Sequence, residues 1–560
     1  MSESDESPLL AEGSIVQFHT KSRVKSQKKW NSAKVTFSKG VRGDHTSRDE
    51  LENSAPDFFG NSYSAKVKTS NYFSYFGFAS LTIIITILIV LLLLTYELKL
   101  NCSQHANKGI RAEKRYHTDA IKFLVASDLH YDTFYDESVS EENTLCRKLG
   151  NYTSAKFNAT LGRVGCDSPM SLMTSWLKHM KSTHEKNPAD FLLITGDFNA
   201  HRTDESYFPH GSGRQRLLSS IKSITLEIHN AFPDLPVFPL FGNNDFQPHN
   251  TLPSNEQDQF YSQALDLFLP MILCDKCSPD RNRPTTQQEL RETFVNGGYY
   301  KVDIAGGRMV LLALNSMYWY VDAHSDSESD STYIQTKAAQ QFNWLEGQLE
   351  QAKQQGKKVI ITSHVPPGID SYSNNPLWLD DASRRFTELV AGRYHEVVAA
   401  QLYGHVHRDD IRLQAIQGDE ESVNRSFALL TPSVSPIFAN NPSYRQFYLH
   451  PDQLVLLDYD QYFMDIVMAT QFQSAQWQLD YRFSERYPST SEQIDATRLN
   501  ELNQNLLNQT SKEAWVRYAF GRAVNYQTSS YSRFNLYCCM RFVEKAEYEA
   551  CTTKYYVPGG

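Results

Sequence analysis

No cysteine occurs among the first 101 residues of the 560, yet eight follow: Cys102, Cys146, Cys166, Cys274, Cys277, Cys538, Cys539 and Cys551. No charge interrupts Tyr75–Tyr96, an apolar run long enough to cross a bilayer as a helix. No comparable run lies near Met1, so the expectation is a permanent anchor rather than a cleaved signal peptide. Excess positive charge is missing as well: 55 Lys and Arg against 64 Asp and Glu leave −9, which argues against a dedicated nucleic-acid binder, and no nucleic acid is expected as a stable partner. Cys274-x-x-Cys277 has no second CxxC to complete a four-cysteine zinc site, leaving a disulfide or isolated thiols. Local pairing options are Cys146 with Cys166, Cys274 with Cys277, and pairs among Cys538, Cys539 and Cys551. The five Asn-x-Ser/Thr sequons, at Asn101, Asn151, Asn158, Asn424 and Asn508, also all follow the apolar run. Cysteines and sequons on one side imply a glycosylated, disulfide-bonded lumenal part and a single-pass type II topology. Flanking charge points the other way, since Lys99, Lys108, Arg111, Lys114 and Arg115 outnumber Lys66 and Lys68; we side with the cysteines and sequons.

The expected organisation is a disordered cytosolic tail (1–72), a transmembrane helix (73–96), a lumenal stalk (97–120), a globular domain (121–484) and a C-terminal helical, cysteine-containing subdomain (485–560). The tail is rich in Ser, Lys, Asp and Glu and has few periodic apolar positions. Lys21–Arg42 carries eight basic residues and no acidic one, suited either to an anionic leaflet or to solvent. Asp5-Glu6-Ser7-Pro8-Leu9-Leu10 resembles the acidic dileucine signal that sorting adaptors read. Beyond the stalk, apolar runs at Ile121–Asp128, Ala189–Asp197, Pro236–Asp245, Arg308–Ser316, Lys357–His364 and Val397–His405 read as buried strands. Ser171–Ser182, Arg216–Ala231, Gln340–Gln354 and Glu492–Gln509 read as helices. The alternation predicts a layered α/β domain.

Five of those runs close on residues that bind metals. They give Asp128-Leu129-His130, Gly196-Asp197-Phe198-Asn199-Ala200-His201, Gly242-Asn243-Asn244-Asp245, His364, and Gly404-His405-Val406-His407. The carboxyl ends of strands in an α/β sheet meet in one crevice, where carboxylate, amide oxygen and imidazole can hold two ions with one carboxylate bridging. One Asp-x-His or one buried histidine is weak evidence, but this ordered set is not. It resembles the signature of the calcineurin-like metallophosphoesterases over roughly residues 121–466.

That resemblance implies a sandwich of two central mixed sheets flanked by helices. It implies one metal on Asp128, His130 and His407 and a second on Asn243, His364 and His405, with Asp197 bridging. The two divalent ions would be zinc, manganese, iron or cobalt, and would lower the pKa of an attacking water and stabilise charge on phosphoryl oxygens. His201 would protonate the leaving group or clamp the phosphate, with Asp197 beside it in the catalytic set. Purple acid phosphatases place a tyrosine where this chain has Ala200, so no tyrosinate-ligated iron is expected.

Within the superfamily, Cys166-Asp167-Ser168-Pro169, Gly297-Gly298-Tyr299-Tyr300, His364-Val365-Pro366-Pro367-Gly368 and Thr431-Pro432-Ser433-Val434-Ser435-Pro436 resemble acid sphingomyelinase-like phosphodiesterases and vacuolar endopolyphosphatases. Most members carry a histidine where Asn244 stands, and asparagine donates no proton in catalysis. Gly242-Asn243-Asn244-Asp245 with Pro248-His249-Asn250 resembles the endopolyphosphatase version, making Asn244 and His249 candidate substrate-binding residues. Only Cys102 lies between the apolar run and Asp128, so the saposin module of acid sphingomyelinase is missing. The expectation from these departures is cleavage of internal phosphoanhydride bonds of polyphosphate at a vacuolar or lysosome-like membrane. The alternative is a phosphodiesterase for nucleotides or other soluble phosphoesters, and a third reading is a catalytically silent receptor.

Overall fold

A computed structural model describes residues 119–142, 145–204, 208, 212–274, 276–277, 285–323, 328–416, 425–508, 513–526 and 532–555. The expected tail, its Asp5–Leu10 signal, the transmembrane run, all of the stalk before residue 119, and Asn101 and Asn424 lie outside these residues. Among the described residues no helix is long and apolar enough to cross a membrane.

Twelve strands are described: β1 (Ile121–Ala126), β2 (Phe191–Ile194), β3 (Val237–Pro239), β4 (Tyr300–Ile304), β5 (Met309–Ala313), β6 (Lys358–Thr362), β7 (Val398–Tyr403), β8 (Asp410–Gln414), β9 (Ser426–Leu430), β10 (Ser443–Leu449), β11 (Leu456–Met464) and β12 (Trp477–Arg482). They form two six-stranded mixed sheets, ordered β12-β11-β10-β1-β2-β3 and β4-β5-β6-β7-β9-β8. β1, β2 and β3 run parallel in the first, as do β5, β6, β7 and β9 in the second. Such strands are covered on both faces, which explains why Phe191–Ile194 and Met309–Ala313 are wholly apolar and wholly buried. One continuous core contains side chains of both sheets, with Phe123 stacked between Phe191 at 4.8 Å and Phe447 at 5.1 Å.

Helix α1 (Met170–Lys186) buries Leu172, Met173, Trp176, Leu177 and Met180, an i, i+4, i+8 stripe with its i+1 neighbours. α2 (Gly213–Ala231) and α3 (Phe260–Leu273) follow, then α4 (Gln287–Gly297), which opens on a capping box. There Thr286 Oγ1 accepts from the Glu289 N–H at 3.2 Å while the Thr286 N–H donates to Glu289 Oε2 at 2.9 Å. α5 (Glu328–Gln354) begins twelve residues before the expected Gln340; its opening turns are mostly polar, and only Ile334 and Ala338, four apart, carry the apolar stripe back from Phe342 and Leu345.

After residue 485 the chain forms α6 (Ala496–Leu506), α7 (Glu513–Arg522), α8 (Arg533–Arg541) and α9 (Lys545–Tyr555). α6 and α8 pack on β8, and Asn503 Nδ2 ties them together by donating to the Tyr537 carbonyl at 3.0 Å. Disulfides join Cys146 to Cys166, Cys274 to Cys277 and Cys538 to Cys551, and Cys539 is a buried thiol.

Candidate metal centre

Each of the seven expected ligands follows a strand, and their donor atoms converge. Asp128 Oδ1 lies 3.2 Å from His407 Nε2, which is 3.0 Å from His130 Nε2. Asn243 Oδ1 lies 3.1 Å from His364 Nε2 and 2.9 Å from His405 Nδ1. Between the two groups sits Asp197, whose Oδ2 is 3.4 Å from His130 Nε2 and 3.3 Å from His364 Nε2. Donor atoms bound about 2.1 Å from one ion are separated by about 3 Å or slightly more, so both groups have the spacing of a coordination shell.

The rings are aimed from behind. His130 Nδ1 donates to the Asn199 carbonyl at 3.0 Å and His364 Nδ1 to the Thr195 carbonyl at 2.7 Å, which turns each Nε2 toward the centre. Asp128, His130, Asp197, His405 and His407 all have positive φ, between 42° and 69°. L residues adopt that backbone at a cost, and its concentration at five of seven ligands marks tight turns that bring the donors inward. Burial lowers the proton affinity of His130 and His364, but the Asp197 and Asp128 carboxylates beside them together outweigh it and raise both to about 9. Burial brings His407 down to about 4 and His405 to about 3. Two buried carboxylates thus draw positive charge toward the centre, and the donor set fits two divalent cations.

Asn244 and His249, expected to touch substrate, lie against two of the expected ligands. Asn244 donates to both Asp197 oxygens, from its N–H at 2.8 Å and from Nδ2 at 2.8 Å. His249 Nε2 accepts from Asn243 Nδ2 at 2.9 Å, which leaves Asn243 Oδ1 to face His364 and His405. His201 sits at the edge of the first group, its ring stacked on that of His130 at 4.1 Å. Phe438, 45% exposed, borders His407 at 4.7 Å, and Tyr320 borders His405 at 5.2 Å.

Three buried charges escaped the sequence reading. Asp245 accepts from the N–H groups of Gly242 at 2.9 Å and Asn199 at 3.0 Å, joining two ligand loops; burial and the Asp197 charge push it up to about 7. Asp167 accepts from His201 Nδ1 at 3.0 Å; burial opposes its ionisation, but the His201, His130 and Arg147 charges hold it at about 2. Arg147 binds Asp132 at 2.7 Å. Asp167 and Asp245 stand inside motifs visible in the sequence, but only their position in space gives them a role. Sequons Asn151, Asn158 and Asn508 are exposed.

Gly404 shows how closely the loops are packed. A Cβ there would meet Ser127 Oγ and come within 2.8 Å of Asp128 Oδ2. Gly404→Ala is expected to displace Asp128 and weaken metal binding by about 10–100-fold, measured by competition against a chromogenic chelator.

The sequence matches the calcineurin-like phosphoesterase family over residues 121–409. It is similar to acid sphingomyelinase-like phosphodiesterase 3b of Mus musculus, at 30% identity over 65% of this chain and 75% of that protein. It is similar also to a cyclic GMP-AMP phosphodiesterase of Rattus norvegicus, at 26% identity over 75% of this chain and 88% of that one. A third relative is sphingomyelinase phosphodiesterase C of Dictyostelium discoideum, 27% identical over 73% of this chain and 86% of that protein.

Proposed function

Because the chain belongs to the calcineurin-like phosphoesterases, in their acid sphingomyelinase-like branch, we propose that it is a phosphodiesterase acting on nucleotides or other soluble phosphoesters. The observation that carries the reading is Asp197 Oδ2, set 3.4 Å and 3.3 Å from the aimed nitrogens of His130 and His364, at the junction of two complete ligand groups. Asp128, His130 and His407 would hold one divalent ion and Asn243, His364 and His405 the other, with Asp197 placed to serve both. Zinc, manganese, iron and cobalt all suit imidazole with carboxylate. Bound there, the ions supply an activated water and neutralise charge on the phosphoryl oxygens.

The protein's own groups do the rest. His249 orients Asn243, Asn244 holds the Asp197 carboxylate, and His201 delivers a proton to the leaving oxygen. All three relatives named above are phosphodiesterases by name, which favours this reading over the polyphosphate one. Asn244 is the observation that keeps polyphosphate in the test, because a phosphate leaving group needs little protonation. The compartment belongs to the same proposal: a lumenal or extracytosolic catalytic domain anchored through 73–96, supported by three disulfides and by exposed Asn151, Asn158 and Asn508. A vacuolar or lysosome-like destination, with adaptors bound at Asp5–Leu10, rests on that signal alone.

The full chain, purified with zinc, manganese or cobalt, is expected to cleave a dinucleotide phosphodiester and to leave the length distribution of long-chain polyphosphate unchanged. Shortening of polyphosphate to intermediate lengths with the diester intact would overturn the assignment.

A further inference from the structure

The Cys146–Cys166 disulfide carries, one residue beyond each sulfur, two buried charges: Arg147 follows Cys146 and Asp167 follows Cys166. Both end on His201. Asp167 accepts from the His201 backbone N–H at 2.8 Å and from its Nδ1 at 3.0 Å. With main chain and ring held by one carboxylate, the ring cannot turn without losing a bond, so Nδ1 faces Asp167 and Nε2 faces away from it. Arg147 holds the same loop by its carbonyls, donating from Nη2 to His201 at 2.8 Å and from Nη1 to Arg202 at 3.0 Å. Arg202 has φ +53°, a left-handed conformation that its surroundings must maintain. The other side of the His201 ring lies against His130 at 4.1 Å and Phe438 at 5.3 Å. His130, His201 and His407 thereby present ring nitrogens within 4.8 Å of one another. A buried ion pair is weak support for stability in itself, since apolar residues of like volume often serve as well. A positioning role accounts for why both charges end on one loop.

We propose that Asp167 and Arg147, kept in register by the Cys146–Cys166 disulfide, are positioning residues that present His201 Nε2 to the departing oxygen of the substrate. The inference rests on the phosphodiester reading above. In that step a water oxygen forms the new P–O bond and releases a proton to solvent. The bond from phosphorus to the leaving oxygen breaks with its electron pair, and that oxygen takes the proton from His201 Nε2, which solvent then restores. A departing alkoxide needs the proton, whereas 4-nitrophenolate, a much weaker base, leaves without it.

The test compares two diesters of one nucleoside, an alkyl and a 4-nitrophenyl ester, on the full chain loaded with manganese. Asp167→Asn is expected to lower kcat on the alkyl diester by about 10²-fold, with KM and the 4-nitrophenyl rate held within about threefold and manganese content unchanged. His201→Gln should show the same selectivity, and the double variant no further loss. Arg147→Met, or Cys146→Ser with Cys166→Ser where that variant folds, should shift the ratio of the two rates in the same direction. Equal losses on both esters, or a fall in bound manganese, would overturn the proposal and make His201 a structural residue or a further ligand. A wild-type protein that cleaves neither ester overturns the phosphodiester reading and this inference with it, whereas uniform loss against an active wild type overturns the inference alone.

Discussion

Asp197→Asn will leave a folded protein that neither hydrolyses phosphodiesters nor gains stability from added divalent metal. The carboxylate is 1% exposed, accepts from Asn244 at both oxygens, and sits between His130 and His364. An amide there has one oxygen and no charge, so it cannot neutralise two cations at once. Removing a single preorganised charge-stabilising group already costs about 10²–10³-fold in kcat, and here both ligand groups lose their shared member. The expected loss is therefore more than about 10³-fold, together with disappearance of the metal-dependent rise in Tm. Metal analysis after gel filtration checks the cause: retention of two ions per chain by the variant, with normal turnover, would remove Asp197 from the bridging role. His249→Ala is expected to lose less, because His249 accepts from the Asn243 amide and so orients a candidate ligand rather than being one.

The largest effect on stability is expected at Asp410→Asn. Asp410 is 2% exposed; its Oδ2 lies 2.8 Å from Arg522 Nη2 and 3.0 Å from Arg412 Nη1, and its Oδ1 accepts from Tyr518. Arg412 belongs to β8 while Arg522 and Tyr518 belong to α7, so one carboxylate joins the second sheet to the C-terminal helices. Neutralising it leaves two buried guanidinium groups facing each other, at a cost of about 3–5 kcal/mol. Burial opposes ionisation of Asp410, but the Arg412 and Arg522 charges outweigh it and hold the group well below the usual carboxylate range. A carboxylate with a depressed folded-state pKa contributes stability that is fully present above its unfolded value, about 3.9, and is lost as pH falls toward the folded one. Urea midpoints of wild type and Asp410→Asn should differ widely at pH 6 and begin to approach each other only below about pH 4, the gap shrinking as pH falls further toward the folded value. A gap that stays constant over that range would show that charge is not the source.

The candidate ligands were legible because each follows an apolar run. Ile121–Ala126 leads to Asp128, Phe191–Ile194 to Asp197, Lys358–Thr362 to His364 and Val398–Tyr403 to His405. Hydropathy marked those strands and chemistry marked what came after them. The antiparallel strands were less visible because they bury polar residues in pairs. β11 buries Asp458, Asp460 and Gln461, where Asp460 binds Arg482 at 2.7 Å and Tyr448 at 2.7 Å. β8 reads Asp-Ile-Arg-Leu-Gln and would pass for a surface segment, yet every residue is buried. A charge neutralised by a residue distant in sequence leaves no trace in a local pattern. The same holds for Asp167 and His201, 34 positions apart. Asn244 was legible as a departure from the family pattern, but its contact with Asp197 depended on a turn that spacing alone does not specify.

The C-terminal helices also bear on the solubility of the protein. β8 is the last strand of its sheet, and an outermost strand offers a row of unpaired peptide groups to which another chain can add. Here that margin is buried under α6 and α8, and the Cys538–Cys551 bond holds α9 against α8. A chain that stopped at the end of the sandwich would keep its seven candidate ligands and expose a templating edge, so these helices guard against self-association as much as they support the catalytic domain.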